Sequence, residues 1–195
     1  MSENWDNYAA DWDSNPAVIE YADNAYNSLR QEVNPDSYRI LDFGCGTGLL
    51  SERLSSSAKS IVALDPSPNM ASALKNKGLS NVSTIASELN QNLIHSNDLL
   101  KQDFDLIVAS SSLAFVTDYP ATLKLLKQLL KVDGHLLQWD WLKDESDEGA
   151  GFSKQQIESA MTAAGFKEYA TSIPFCMQAE NSKMDVIMCV AKNTH

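Results

Sequence analysis

The stretch that decides the fold is "RILDFGCGTGLL", residues 39–50, where three glycines fall within five residues at the end of a short apolar run. An apolar run that ends in glycines and leads into a helix-like segment is typical of the first strand–helix unit of an α/β sheet. Gly44, Gly46 and Gly48 allow the backbone to turn tightly and to approach a ligand closely. The pattern therefore predicts a ligand-binding loop after a first buried strand.

Three kinds of ligand are compatible with such a loop. A phosphate-binding P-loop requires a lysine after its last glycine, but no Lys or Arg stands between Arg39 and Arg53. A dinucleotide loop requires the spacing GxGxxG, and Leu49 occupies the position of its third glycine. A nicotinamide-dependent oxidoreductase is therefore disfavoured but stays open, and the third candidate is a ligand held without phosphate contacts.

Short apolar runs alternate with helical patterns over the rest of the chain, which predicts βαβ units and a largely parallel sheet covered on both faces. The predicted strands are residues 39–43, 60–65, 81–86, 104–110, 135–141, 169–175 and 185–192. The predicted helices are residues 49–57, 68–78, 119–134 and 153–165. The last two strands lack an intervening helix and should form an antiparallel hairpin at one edge. We therefore expect an α/β fold with a doubly wound, Rossmann-like, seven-stranded sheet.

Length and composition predict one domain over residues 1–195, with a core at 39–192. Residues 1–38 are aromatic-rich and helical in pattern, and we expect them to form a helical lid. The net charge of -11 argues against a nucleic-acid substrate. The three cysteines are widely spaced, so neither a disulfide framework nor a metal site is expected. Without a signal-peptide pattern or a membrane-length apolar run, a cytoplasmic location is expected.

The motif "ILDFGCGTG" (40–48) resembles the first motif, (V/I)LDxGCGTG, of the class I S-adenosylmethionine-dependent methyltransferases. Later segments are also similar to that family, especially to its small-molecule, type 11/12-like members: "DPSPNM" (65–70), "FDLIVASSSLAFVTD" (104–118), "LLKVDGHLL" (129–137) and "GFSKQQIESAMTAAGF" (151–166). The resemblance covers about residues 36–192. It implies S-adenosylmethionine as cofactor and methyl transfer as the reaction.

The resemblance also implies which residues contact the cofactor. Asp65 stands where the family has the acidic residue that holds the ribose hydroxyls, although it could also cap the next helix. Glu88 and Leu89 replace the Asp-Ala pair that contacts the adenine, and Glu88 could equally be a solvated loop carboxylate. The full set assigned to the cofactor is Asp42, Gly44, Cys45, Gly46, Gly48, Asp65, Pro66, Ser67, Met70, Glu88, Leu89 and Ser110.

No general base is evident, because Ala114 and Phe115 stand where the family often has a His pair. Methyl transfer to an acceptor that is already nucleophilic can proceed by positioning alone. A hydroxyl or ammonium acceptor would need a base, and Asp11 and Asp140 are the candidates.

Aromatic residues in the N-terminal segment fit one helical face, namely Trp5, Tyr8 and Trp12. They either pack on the sheet edge or form a lid, together with Phe115, over the cofactor and the acceptor. The sequence thus predicts a methyltransferase that acts on a small molecule, with a protein acceptor as the main competitor. A non-catalytic module that binds the cofactor is the alternative from another class. The sequence does not distinguish a monomer from a dimer.

Overall fold

A seven-stranded sheet forms the centre of the protein in a computed structural model, which describes residues 5–144, 147, 149–178 and 183–194. The strand order is β3-β2-β1-β4-β5-β7-β6. β1 to β5 run parallel to one another, and β7 pairs antiparallel with both β5 and β6. The strands are Arg39–Phe43, Ser60–Asp65, Val82–Ala86, Phe104–Ser110, Leu130–Trp141, Glu168–Gln178 and Lys183–Lys192. The predicted doubly wound, mostly parallel sheet with an antiparallel edge hairpin is confirmed.

Helices cover both faces of the sheet. The α-helices, α1 to α6, are Pro16–Glu32, Leu49–Ser55, Pro68–Asn76, Gln91–Ser96, Tyr119–Leu129 and Lys154–Ala163. α1, α2 and α3 pack on one face, and α5 and α6 pack on the other. Neighbouring residues of β1 point to opposite faces of the sheet. Ile40 packs in the core beneath α1, α2 and α3, and Leu41 packs in the core beneath α5 and α6. Both are fully buried, as expected for a strand covered on each side.

Two parts of the chain differ from the predicted elements. The predicted helix 119–134 ends at Leu129, because Leu130 takes an extended conformation and pairs with Phe104 at the start of β5. The apolar side chain of Leu130 fits the pattern of an amphipathic helix and the pattern of a buried strand equally well. α4 was not predicted; it begins at an Asn90 cap and is only six residues long.

The N-terminal region is helical but not continuous. Two 3₁₀ turns, Trp5–Asn7 and Trp12–Ser14, precede α1. α1 begins at Pro16 because the Asn15 side chain accepts from the Ala17 N–H, which is a normal helix N-cap. α1 buries Ala25 and Leu29 completely in the core, whereas its first turns and the segment before it lie at the ligand-binding side of the sheet. No helix in the described residues is long and apolar enough to span a bilayer.

Candidate functional site

A cavity of about 1220 Å³ opens beyond the carboxyl ends of β1, β2 and β4. In open α/β sheets this edge is where ligands bind, because the loops diverge at the point where the strand order reverses. Every residue assigned to the cofactor from the sequence lines this cavity except Gly48. Trp5, Trp12 and Phe115 also line it, whereas Tyr8, Asp11 and Asp140 do not.

The three loop glycines have different roles in the structure, although all three have positive φ. A Cβ on Gly44 would lie 2.3 Å from the Ser112 Cβ, so this glycine allows the loops after β1 and β4 to touch. A Cβ on Gly48 would lie 2.2 Å from Leu74 Cδ1, so this glycine allows α2 and α3 to pack. A Cβ on Gly46 would meet only the Trp12 indole nitrogen, at 3.8 Å. Gly46 thus leaves open space beside the loop backbone.

Asp65 ends β2 with its carboxylate fixed by two backbone N–H groups. Ser67 N donates to one oxygen and Gly46 N to the other, each at 2.8 Å. Burial raises the pKa of Asp65, and the two N–H groups oppose that rise. Each oxygen keeps a further lone pair, so the carboxylate can still accept hydrogen bonds from a pair of ligand hydroxyls.

Asp42 lies beneath the glycine loop and Cys45 is part of it, and both side chains are buried. Ser51 Oγ donates to Asp42 at 2.7 Å and links β1 to α2. Burial raises the pKa of Asp42 to about 6; the Ser51 hydrogen bond opposes this, and the charge of Asp65 adds to it. Burial, followed by the charges of Asp42 and Asp65, raises the pKa of the Cys45 thiol. Cys45 is therefore a neutral thiol at physiological pH, as expected for a packing group and not for a nucleophile.

Beside the glycine loop, the cavity is also lined by α3 and by the loop after β3. Ser67 caps α3 by accepting from the Met70 N–H at 3.1 Å, and Met70 is buried behind it. Leu89 packs against the core, whereas Glu88 is exposed at the cavity edge. The Glu88 side chain therefore lies at the mouth of the cavity, in contact with solvent.

Two aspartates attach the N-terminal segment to this loop region, and neither contact is evident from the sequence. Asp6 accepts from the Ser67 hydroxyl and, at 3.1 Å, from the Asn69 N–H at the start of α3. Asp13 accepts from the Thr47 hydroxyl of the glycine loop and pairs with Lys77 Nζ at 2.8 Å. We call these two contacts the aspartate ties. They hold residues 5–14 across the cavity.

Aromatic rings form the cover above the cavity. Trp5 lies 5.8 Å from Tyr8 and 5.9 Å from Trp12, between ring centroids. Trp5 also meets Phe115 edge-to-face at 4.9 Å, which joins the N-terminal segment to the turn after β4. The predicted aromatic grouping is therefore present, although it is built on two 3₁₀ turns and not on one helix.

The other end of the cavity is formed by α1, the loop after β4 and the strands β5 to β7. Tyr21 packs edge-to-face against Trp141 and Phe175, each at 5.3 Å between ring centroids. Met177 and Met184 of the edge hairpin also line this end. We call this region the far end of the cavity, and it was not identified from the sequence because its residues come from distant segments.

Asp140 is buried directly behind the far end. Gln138 Nε2 donates to one of its oxygens at 3.1 Å, and the Ala114 backbone N–H also donates to its carboxylate. Its other oxygen has no hydrogen-bond partner among the described residues. Burial raises the pKa of Asp140 well above its usual value. Asp11, by contrast, is exposed and lies outside the cavity lining.

A Rossmann-like sheet with a glycine loop, an acidic residue ending the second strand and a covered cavity defines a nucleoside-cofactor-binding protein. The open space at Gly46, the carboxylate of Asp65 with free lone pairs, and the apolar wall at Met70 and Leu89 fit S-adenosylmethionine. Within the described residues, no cluster of His, Cys, Asp or Glu could hold a metal ion.

Comparison with known proteins agrees with this class. A family model described as a methyltransferase domain matches residues 18–171. The chain belongs to this family, the class I S-adenosylmethionine-dependent methyltransferases, whose cofactor is S-adenosylmethionine.

Individual relatives share about 30% identity with part of the chain. An uncharacterized methyltransferase of Schizosaccharomyces pombe is 31% identical over 155 residues, covering 65% of this chain and 55% of that protein. A ubiquinone biosynthesis O-methyltransferase of Xylella fastidiosa is 29% identical over 125 residues, covering 63% and 46%. The chain thus spans about half the length of these curated relatives. A crystal structure of a SAM-dependent methyltransferase from Aquifex aeolicus superimposes with a TM-score of 0.68 and 20% identity, covering 92% and 94% of the two chains, which shows a shared fold.

Proposed function

We propose that the protein transfers a methyl group from S-adenosylmethionine to a small-molecule acceptor by direct displacement and leaves S-adenosylhomocysteine. The observation that carries this proposal is the size and continuity of the cavity. Its volume of about 1220 Å³ exceeds the roughly 300–1,000 Å³ of a typical site for one ligand. The cavity therefore has room for a cofactor beside the glycine loop and for an acceptor at the far end.

The residues of the loop side support the cofactor assignment. Asp65 is positioned to accept from the ribose hydroxyls, and Met70 and Leu89 offer an apolar wall to the adenine. The backbone at Gly44 to Gly46 and the Ser110 side chain would surround the methionine end. When bound, S-adenosylmethionine supplies an electrophilic methyl group on its sulfonium.

The rest of the chain aligns the acceptor and excludes water. Trp5, Trp12 and Phe115 close the cavity from above, and a closed, dry site aligns an acceptor for in-line attack. Of the two candidate bases, Asp140 is the one adjacent to the far end, whereas Asp11 is exposed. We therefore retain Asp140 as the residue that influences proton release from the acceptor.

The aromatic cover also favours a small molecule over a protein acceptor. The N-terminal segment is attached at two points, so a protein segment would reach the methyl group only after both aspartate ties open. A non-catalytic cofactor-binding module would not need the space at the far end. A nicotinamide cofactor would require a third loop glycine that allows the helix to pack closely on the strand, and Leu49 stands in its place.

Cofactor binding tests the proposal through Asp65. We expect the Asp65→Asn variant to bind S-adenosylhomocysteine about 10- to 100-fold more weakly, because a hydrogen bond to a charged group contributes about 1.5–3 kcal/mol. Asp98→Asn is the matched control, since Asp98 is exposed and lies outside the cavity lining. Isothermal titration calorimetry with S-adenosylmethionine, S-adenosylhomocysteine and NAD gives the affinities.

The same measurements identify the alternatives. Binding of NAD alone would remove the methyltransferase proposal. Tight cofactor binding without S-adenosylhomocysteine formation from any cell-extract fraction would support the non-catalytic module. An unchanged affinity in Asp65→Asn would remove Asp65 from the site.

A further inference from the structure

The charge of the cavity wall is one-sided. Among the described residues that line the cavity there is no Lys, Arg or His. The residues outside the described ranges include no Lys or Arg in their sequence. The carboxylates that line the cavity are Asp6, Asp42, Asp65, Glu88 and Asp118. An acceptor with a carboxylate or phosphate group would lose its hydration there without gaining a cation, which is costly.

The far end has two buried polar atoms for which the described residues provide no hydrogen-bond partner of normal geometry. The Tyr21 hydroxyl and one oxygen of Asp140 are buried and make no hydrogen bond of normal geometry to the described residues. Burial raises the pKa of Tyr21, the nearby negative charge of Asp140 adds to that rise, and the Ser111 side chain, which lies near the hydroxyl but outside normal hydrogen-bond geometry, opposes it. Leaving such groups unpaired costs roughly 1–3 kcal/mol each. A positively charged ligand at the far end would offset part of this cost.

Aromatic faces border the same space. Tyr21 and Trp141 line the far end, and Phe115 and Trp5 close it from the side of the cover. Aromatic rings attract ammonium groups through their negative faces, by about 0.5–2 kcal/mol according to how dry the site is. The rings, the buried carboxyl group of Asp140 with one unpaired oxygen, and the absence of basic side chains among the described lining residues are complementary to the same ligand charge. A bound cation would favour the ionised form of Asp140, which burial alone disfavours.

From these three observations we infer that the methyl acceptor is an amine, which enters as an ammonium ion and binds at the far end beside Tyr21 and Trp141, with Asp140 supplying the charge behind them. The inference rests on the proposed function, because it names the acceptor class of that site. Asp140 acts here as a positioning residue, since Ala114, which donates to its carboxylate, lines the cavity and Asp140 itself does not.

Methyl transfer to an amine requires loss of a proton and then displacement at the methyl carbon. The ammonium ion first loses one proton, which ends in solvent. The nitrogen lone pair then forms the new N–C bond while the C–S bond breaks, and the electron pair of that bond stays on sulfur. The products are a methylated ammonium ion and S-adenosylhomocysteine.

Three probes of nearly equal shape test the inference: phenethylamine, phenethyl alcohol and hydrocinnamate, which are cationic, neutral and anionic at neutral pH. Calorimetric titration of each into the protein with bound S-adenosylhomocysteine measures affinity without turnover. We expect phenethylamine to bind at least about tenfold more tightly than hydrocinnamate, with the alcohol between them.

Two variants test the residues. Asp140→Asn keeps the shape of the side chain and removes its charge, and we expect it to bring the amine-to-carboxylate preference to within about threefold of unity. Tyr21→Phe removes only the unpaired hydroxyl, and we expect it to reduce the preference by about threefold with the fold intact. Asp98→Asn is the control, and its preference should equal that of the wild type.

The outcomes separate the two proposals. If the wild-type protein does not bind S-adenosylhomocysteine, both the proposed function and this inference fail. If it does bind but hydrocinnamate binds as tightly as phenethylamine, or neither binds, the inference alone is overturned. A wild-type preference that persists in both Asp140→Asn and Tyr21→Phe overturns the assignment to these residues. If Asp140→Asn does not fold, the preference measured in Tyr21→Phe alone decides whether the far end is the amine site.

Discussion

Replacing Gly44 with alanine is expected to destabilise the protein by about 2–5 kcal/mol. A residue with a side chain at the observed φ of 67° costs about 1–2 kcal/mol in the left-handed region. The added Cβ would also lie 2.3 Å from the Ser112 Cβ. That atom is attached directly to the backbone, so the loop after β4 must move, and overpacking of this kind costs about 1–3 kcal/mol more.

Gly78→Ala is the matched control for the backbone contribution. Gly78 has the same φ of 67°, but a Cβ there meets no atom within 4 Å. We expect this variant to lose only about 1–2 kcal/mol. Urea unfolding of both variants, followed by far-ultraviolet circular dichroism, gives the two free energies of unfolding.

A double-mutant cycle isolates the contact with Ser112. Ser112→Gly removes the atom that Gly44→Ala would strike, at the cost of the hydrogen bond from Ser112 Oγ to the Phe43 carbonyl. The double variant should recover about 1–3 kcal/mol relative to the sum of the two single changes. The reasoning is refuted if Gly44→Ala is no more destabilising than Gly78→Ala, or if the cycle shows no coupling.

Two further variants test the aspartate ties and the buried carboxylate of the loop. Asp13→Ala should speed S-adenosylhomocysteine release several-fold in stopped-flow tryptophan fluorescence while changing stability by less than about 1 kcal/mol. Asp23→Ala, which breaks the surface ion pair with Arg53, is the control. Equal release rates in the two variants would contradict a role for the Asp13 tie. Because the pKa of Asp42 is about 6 in the folded protein against its ordinary value of 3.8, its contribution to stability is present below pH 4 and is lost as pH rises through 6. The free energy of unfolding of the wild type minus that of Asp42→Asn should therefore fall by roughly 2 kcal/mol between pH 4 and pH 7 in urea titrations. A pH-independent difference would show that the pKa of Asp42 is not raised.

The sequence predicted the sheet and its helices well, because both leave local patterns. Buried parallel strands such as β4 are continuous apolar runs, and the glycine loop marks the end of β1 without ambiguity. The end of α5 was predicted five residues too late, since Leu130 is apolar in either context and its pairing with Phe104 is a tertiary contact. Local pattern does not contain that information.

The candidate site divides in the same way. The motif residues beside the glycine loop could be named from the resemblance to the family's motifs, and all but Gly48 line the cavity. Asp6 and Asp13 could not be assigned, because their partners Ser67 and Thr47 lie 61 and 34 residues away in the sequence. The proximity of Tyr21 and Asp140 likewise depends on how α1 packs across β5.

The strand order separates the two ends of the cavity along the chain. The side of the cavity proposed for the cofactor is built mainly by β1, β2 and the turns that follow them, whereas the far end draws on α1, the loop after β4, the end of β5 and the hairpin of β6 and β7. The two sides therefore come from separate stretches of the gene. On the proposed function, substitutions in the hairpin, such as at Met177 or Met184, would change the acceptor end of the cavity and leave the residues beside the glycine loop as they are.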